Sequence, residues 1–250
     1  MAALFVVLLA MGCAGNTGKY KQKELVMDAQ FYFDRGMKLL NKKDYERAIA
    51  ELNTVVESFS GSAVVDSALY YLAEAHFKNE DYITAAYNYE RVYTDYPSSQ
   101  FVAESQYKKA LSYYMESPKA ALDQENTRMA IDEFGRFIEN FPGNSLIQEA
   151  QKRIEELKEK LAYKEYQTAD LYRKMKSPES LTAALLYYQA VIDEFPRSVW
   201  VDYSRYGMGI VYLKKKDNEK ALEIFKQLAE SERTNPSVKK DAFKRLKELK

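Results

Sequence analysis

One cysteine and one histidine in 250 residues exclude most metal and nucleophilic chemistry from this chain. A zinc site needs three or four Cys, His or carboxylate ligands at set spacing, and no Cys or His cluster exists. The histidine, His76, falls where the first copy of an internal repeat has Leu39 and the last has Tyr212, so a packing role is expected. The nine glycines stand singly apart from Gly207-x-Gly209 inside a helical pattern, which excludes a glycine-rich phosphate loop. Acidic pairs such as Asp132-Glu133 and Glu155-Glu156 are adjacent and diverge on a helix, the wrong geometry for acid and base partners. Lys plus Arg and Asp plus Glu are both 37, so no basic excess is available for nucleic acid. The basic runs Lys214-Lys215-Lys216 and Lys239-Lys240 read as solvated faces, with a patch for anionic lipid as the other reading. No enzyme activity, cofactor or metal is expected. Alternating runs that would argue for strands are missing as well.

What is present is a repeat. A small residue, a block of about a dozen positions, then Ala-x-x-x-aromatic or aliphatic recurs five times. Gly36 precedes Ala48-x-x-x-Leu52 in the first copy, and Gly209 precedes Ala221-x-x-x-Phe225 in the last. The second-helix alanines fall at Ala48, Ala85, Ala130, Ala184 and Ala221, at intervals of 37, 45, 54 and 37 residues. This is the tetratricopeptide (TPR) spacing with insertions. A helical hairpin needs a small residue where its helices cross closely, and a single hairpin cannot bury its apolar face, so the copies must stack. The second helices stop at Phe59-Ser60-Gly61-Ser62, Tyr96-Pro97-Ser98-Ser99, Phe141-Pro142-Gly143-Asn144 and Phe195-Pro196-Arg197-Ser198, each supplying a breaker and a group able to cap the next helix. The expected fold is all-α: a right-handed superhelical solenoid of five TPR hairpins. Val238, Ala242, Phe243, Leu246 and Leu249 then recur at helical spacing, as a C-terminal capping helix requires.

The N-terminus carries a separate signal. Residues 1–12 are almost wholly apolar and run through Leu9-Ala10-Met11-Gly12 to Cys13, which resembles a bacterial lipoprotein signal cut before an acylated cysteine. An ordinary secretory signal is the other reading. The run is too short to span a bilayer as a helix. Ala14 is not the aspartate that by analogy retains lipoproteins at the inner membrane, so the outer membrane is favoured. Residues 16–23 read as a polar tether.

Twenty-one tyrosines are the oddity of the composition. Three positions before each small residue stands an aromatic: Phe33, Tyr70, Tyr107, Tyr166 and Tyr206. Four positions after it come Leu40, Phe77 and Tyr114 in the first three repeats. A solenoid turns such a period into a ladder along one face. The ladder is either core or the lining of a groove for an extended peptide, with Phe33, Tyr70, Phe77, Tyr107 and Tyr114 as the candidates.

The stretch Thr127-Arg128-Met129-Ala130-Ile131-Asp132-Glu133-Phe134, then Phe137-Ile138-Glu139-Asn140-Phe141-Pro142-Gly143-Asn144-Ser145 and on to Leu161-Ala162-Tyr163-Lys164-Glu165, resembles the BamD family, lipoproteins of the machinery that folds β-barrels into the bacterial outer membrane. The Asp123-Gln124-Glu125-Asn126-Thr127 loop matches a family insertion. The resemblance implies a non-catalytic role at the periplasmic face of the outer membrane. C-terminal repeats would dock on a POTRA domain of the BamA subunit, and N-terminal repeats would face unfolded barrel proteins. It also implies a division into a signal (1–12), a lipidated cysteine with tether (13–26), N-terminal repeats (27–117), insertion loop and linking helix (118–162) and C-terminal repeats with cap (163–250). The membrane is met only through the lipid anchor. A Tol-Pal-associated scaffold of cell-envelope synthesis or division, or a lipidated pilus-assembly protein, are the alternatives.

Overall fold

The computed structural model describes residues 27–249; Cys13, the apolar run and the tether lie outside them. Among the described residues eleven α-helices alternate with short turns. Hairpin one is α1 (Ala29–Asn41) with α2 (Tyr45–Ser58), and hairpin two is α3 (Val65–Lys78) with α4 (Tyr82–Asp95). Hairpin three pairs α5 (Val102–Glu116) with α6 (Glu125–Asn140). Hairpin four pairs α7 (Ile147–Met175) with α8 (Pro178–Glu194), hairpin five pairs α9 (Trp200–Lys214) with α10 (Asn218–Glu230), and α11 (Pro236–Glu248) follows. Each helix packs on its neighbours in sequence, as a solenoid requires. This is the TPR array.

The small residues lie at the crossings. A Cβ added to Gly36 would sit 2.6 Å from Cγ of Leu52. Ala73, Ala110 and Ala169 hold the same place in hairpins two to four, and all five second-helix alanines are buried. Hairpins one, two and five share one turn. Two residues past the first helix, Lys43, Glu80 or Lys216 lies in the left-handed region at φ 63°, 62° and 63°. The next residue, Asp44, Asp81 or Asp217, sends its N–H five positions back to the carbonyl of Leu39, His76 or Tyr212. Asp81 and Asp217 then cap the second helix by accepting from the N–H of Thr84 and Lys220. His76 joins this device, its Nδ1 3.0 Å from Asp81 Oδ2, so its role is structural though it is only part-buried.

The second helices stop at Phe59, Tyr96, Phe141 and Phe195, as their breakers predict. The polar residue after three of these stops accepts from the N–H two positions on: Ser99 from Phe101, Asn144 from Leu146 and Ser198 from Trp200.

Three expectations need correction. The linking helix and the first helix of hairpin four are one 29-residue helix, α7, so the division at 162/163 cuts an unbroken rod. Its first half packs Ala150 and Leu157 against hairpin three, and its second half packs Ala169 into hairpin four. The insertion lies at residues 117–124, because Glu125, Asn126 and Thr127 already form the first turn of α6. In the cap, Val238 and Ala242 are buried against Phe225 and Leu228, but Phe243 is 48% exposed. One residue turns a helix by about 100°, which carries Phe243 off the face that Ala242 buries.

Candidate functional site

The first helices α1, α3, α5, α7 and α9 form one face of the array, with α1 on α3, α7 on α9 and α9 on α11 in direct contact. The aromatic ladder runs up this face, but its rungs sit at different depths. Tyr70 is 5% exposed and stacks on Phe101 at 4.2 Å; Tyr107 is 6% exposed between Phe134 and Phe137 at 5.6 and 5.4 Å. Both are core residues, which corrects the groove reading for these two positions: ring surface covered by other rings offers nothing to a peptide. Phe33, 6.1 Å from Tyr71, keeps part of its ring open, as do Tyr166 and Tyr206.

In the second row Leu40 is buried, whereas Phe77 and Tyr114 are half-buried, each under a cation from the following first helix. The Lys108 ammonium lies 5.5 Å from the centre of the Phe77 ring, and the Arg153 guanidinium 4.5 Å from that of Tyr114. The Tyr114 hydroxyl donates to Glu156 Oε2 at 2.8 Å.

A charged feature of the face escaped the sequence reading. One position past the small residue the chain has Met37, Glu74, Leu111, Asp170 and Ile210, and at the second-helix aromatic or aliphatic it has Leu52, Tyr89, Phe134, Tyr188 and Phe225. Acid and tyrosine coincide in hairpins two and four only. In both, the buried tyrosine donates across the hairpin to that acid: Tyr89 to Glu74, and Tyr188 to Asp170 at 3.4 Å. A buried hydroxyl needs a partner, and the substitution pattern supplies one. Burial, Glu74 and its hydrogen bond push the Tyr89 phenol well above its ordinary range. Burial opposes ionisation of Asp170, but hydrogen bonds from Lys174 and Arg173 outweigh it and hold the carboxyl below its usual range.

Deeper in the array Lys109, 4% exposed, bridges Glu90 at 2.9 Å and Glu133 at 3.1 Å, with Arg136 also 3.1 Å from Glu133. Burial pulls the Lys109 ammonium down, and the bonds to Glu90 and Glu133 raise it further than that. Toward the C-terminal half the only tryptophan, Trp200, stacks on Tyr166 at 4.9 Å and contacts Tyr163 and Tyr203 at 4.5 and 5.3 Å. The whole face is therefore built of rings, hydroxyls and paired charges, the means of gripping a chain by stacking and hydrogen bonding.

Comparison with known proteins assigns the array. Residues 26–184 match the YfiO family of outer membrane lipoproteins, and residues 203–233 match a tetratricopeptide repeat model. The chain belongs to the YfiO family. Among its curated relatives, outer membrane protein assembly factor BamD of Rickettsia prowazekii is 28% identical over 195 residues, covering 78% of this chain and 76% of that one. BamD of Pasteurella multocida is 26% identical over 68% of each chain. Among solved structures, the TPR2AB-domain–pHSP90 complex of yeast Sti1 aligns over 88% of this chain and 84% of that one, at 14% identity and a TM-score of 0.46. No described helix is long and apolar enough to cross a membrane.

Proposed function

We propose that this YfiO-family chain is a non-catalytic assembly factor for β-barrel proteins of the outer membrane. The observation that carries the reading is the match of residues 26–184 to the YfiO family together with the similarity to a BamD protein along 78% of the chain. Acyl chains on Cys13 hold it at the periplasmic face, since more than one inserted chain gives stable anchoring. Hairpins four and five dock on a POTRA domain of BamA. Hairpins one to three meet unfolded barrel proteins, with the open rings of Phe33, Phe77 and Tyr114 touching the substrate.

Affinity purification of the tagged chain from outer membranes tests this. A BamA-type barrel subunit is expected to co-purify, and Cys13→Ala is expected to move the protein into the soluble periplasmic fraction when the barrel subunit is depleted. Recovery of Tol-Pal or pilus components in place of a barrel subunit would overturn the assignment.

A further inference from the structure

Between α7 and α9 the first-helix face opens into a pocket of about 160 Å³. Tyr166, Asp170 and Arg173 line it from α7 at spacings of four and three, which place them on one side of that helix. Tyr206 faces them from α9, and Arg245 of the cap closes a third side. The floor is Tyr188, which reaches from α8 through the gap left by Gly207: a Cβ there would lie 2.6 Å from the Tyr188 hydroxyl oxygen.

The polar groups of this pocket are unequal in what they have left to offer. Asp170 is fully engaged, accepting from Arg173 Nε at 2.8 Å, from Lys174 Nζ at 2.8 Å and from the Tyr188 hydroxyl at 3.4 Å. Arg245 donates through Nε to the Tyr206 hydroxyl at 3.3 Å and through Nη1 to Glu248 at 2.7 Å. A guanidinium carries five N–H donors, so both arginines retain donors beyond these contacts. Lys214 brings a further positive charge, its Nζ on the Arg173 carbonyl oxygen at 2.8 Å. Among the residues that line the pocket two are cations, Arg173 and Arg245, and one is an anion, Asp170. The lining charge is net positive, and the spare guanidinium donors stand beside tyrosine hydroxyls that can donate as well.

Size narrows the ligand. Pockets for free small molecules usually span about 300–1,000 Å³. One of about 160 Å³ holds a single side chain presented by a larger molecule. We propose that this pocket receives the carboxylate of a glutamate or aspartate from an extended segment of a protein partner, gripped by Arg173 and Arg245. Guanidinium donors match carboxylate geometry in pairs, and the neighbouring rings of Tyr166 and Trp200 supply a surface for the flanking residues. The site lies outside the hairpins assigned above to unfolded substrate, and stands whether or not hairpins four and five also dock on a POTRA domain.

The test is fluorescence anisotropy with the lipidated full chain in nonionic detergent. The probes are a capped, labelled Gly/Ser/Thr/Tyr peptide with glutamates at alternate positions, and its glutamine isostere. The glutamate peptide is expected to bind at least about tenfold tighter, since hydrogen bonds to charged groups exceed the roughly 1.4 kcal/mol of a tenfold change. Arg245→Gln, on the cap surface, and Arg173→Gln should each remove most of that preference, and added salt should weaken it. Equal binding of the two peptides, no binding of either, or an unchanged preference in a normally melting Arg245→Gln variant would overturn the proposal. So would displacement of the peptide by phosphatidylglycerol in the micelles, which would assign the pocket to a lipid headgroup.

Discussion

Gly209 lies so close to Phe225 that a Cβ built on it would stand 2.7 Å from both Cε1 and Cζ of the ring. The fully buried ring occupies the space a side chain would need, and Gly36 stands in the same relation to Leu52 at the other end of the array. Gly135 in the middle of α6 has nothing within 4 Å of such a Cβ.

These two environments give opposite signs to one substitution. Gly209→Ala is expected to cost about 1–3 kcal/mol through overpacking. Gly135→Ala is expected to gain up to about 1 kcal/mol from helix propensity. Urea unfolding of both variants measures this, and a destabilised Gly135→Ala or an unaffected Gly209→Ala contradicts the packing described.

The tyrosine–acid pairs should be coupled. Tyr89→Phe removes the donor from buried Glu74 and leaves it with Lys108, 2.8 Å away. The expected cost is about 1–2 kcal/mol. In a double-mutant cycle with Glu74→Leu, the two changes should interact by at least about 0.5 kcal/mol. Strict additivity would mean that the hydroxyl contributes nothing.

Depth along the ladder sets what truncation does. Tyr70→Ala and Tyr107→Ala are expected to lose about 3 kcal/mol or more of stability, as large core truncations do. Tyr114→Ala, at a half-buried ring held by Arg153 and Glu156, should lose less than half of that. Thermal melts rank the three, and a Tyr70→Ala variant that melts like wild type would return that ring to the groove.

Alkali should weaken the fold through buried phenols. Tyr70, Tyr89 and Tyr188 are raised above the ordinary value of about 10, in each case with burial as the largest cause. A group whose folded pKa is raised stabilises fully below its unfolded pKa. That contribution fades as pH climbs from about 10 toward the folded value, because only the unfolded chain releases the proton. Stability is therefore expected to be level through neutrality and to fall above about pH 10. Tyrosinate absorbance should show a fraction of the tyrosines ionising only as the helix signal is lost. Complete ionisation of all tyrosines with the helices intact would contradict this.

Much of the array was legible because hairpin packing leaves a local mark. The small residue, the alanine a dozen positions on and the aromatic stop each answer a constraint within one hairpin, so the spacing alone located every hairpin and the TPR class. The tyrosine–acid pairs were equally present in the spacing, but only as a coincidence between two columns of the repeat, which a search for motifs in one column does not reveal. The seamless α7 was hidden for a different reason: nothing in a helical period states whether two consecutive helical segments are joined.

The depth of each ladder ring was settled by tertiary structure. The sequence period determined that Phe33, Tyr70, Tyr107 and Tyr166 point the same way from their helices. What covers each ring differs: Phe101, which opens the next hairpin, lies over Tyr70, Phe134 and Phe137 of α6 flank Tyr107, and Trp200 stacks on Tyr166. Phe101 lies flat on Tyr70 and seals it, whereas Phe33, beside Tyr71, keeps part of its ring open. Direction is a property of one helix and is written in its period, but burial is shared between neighbouring helices and exists only once they are stacked.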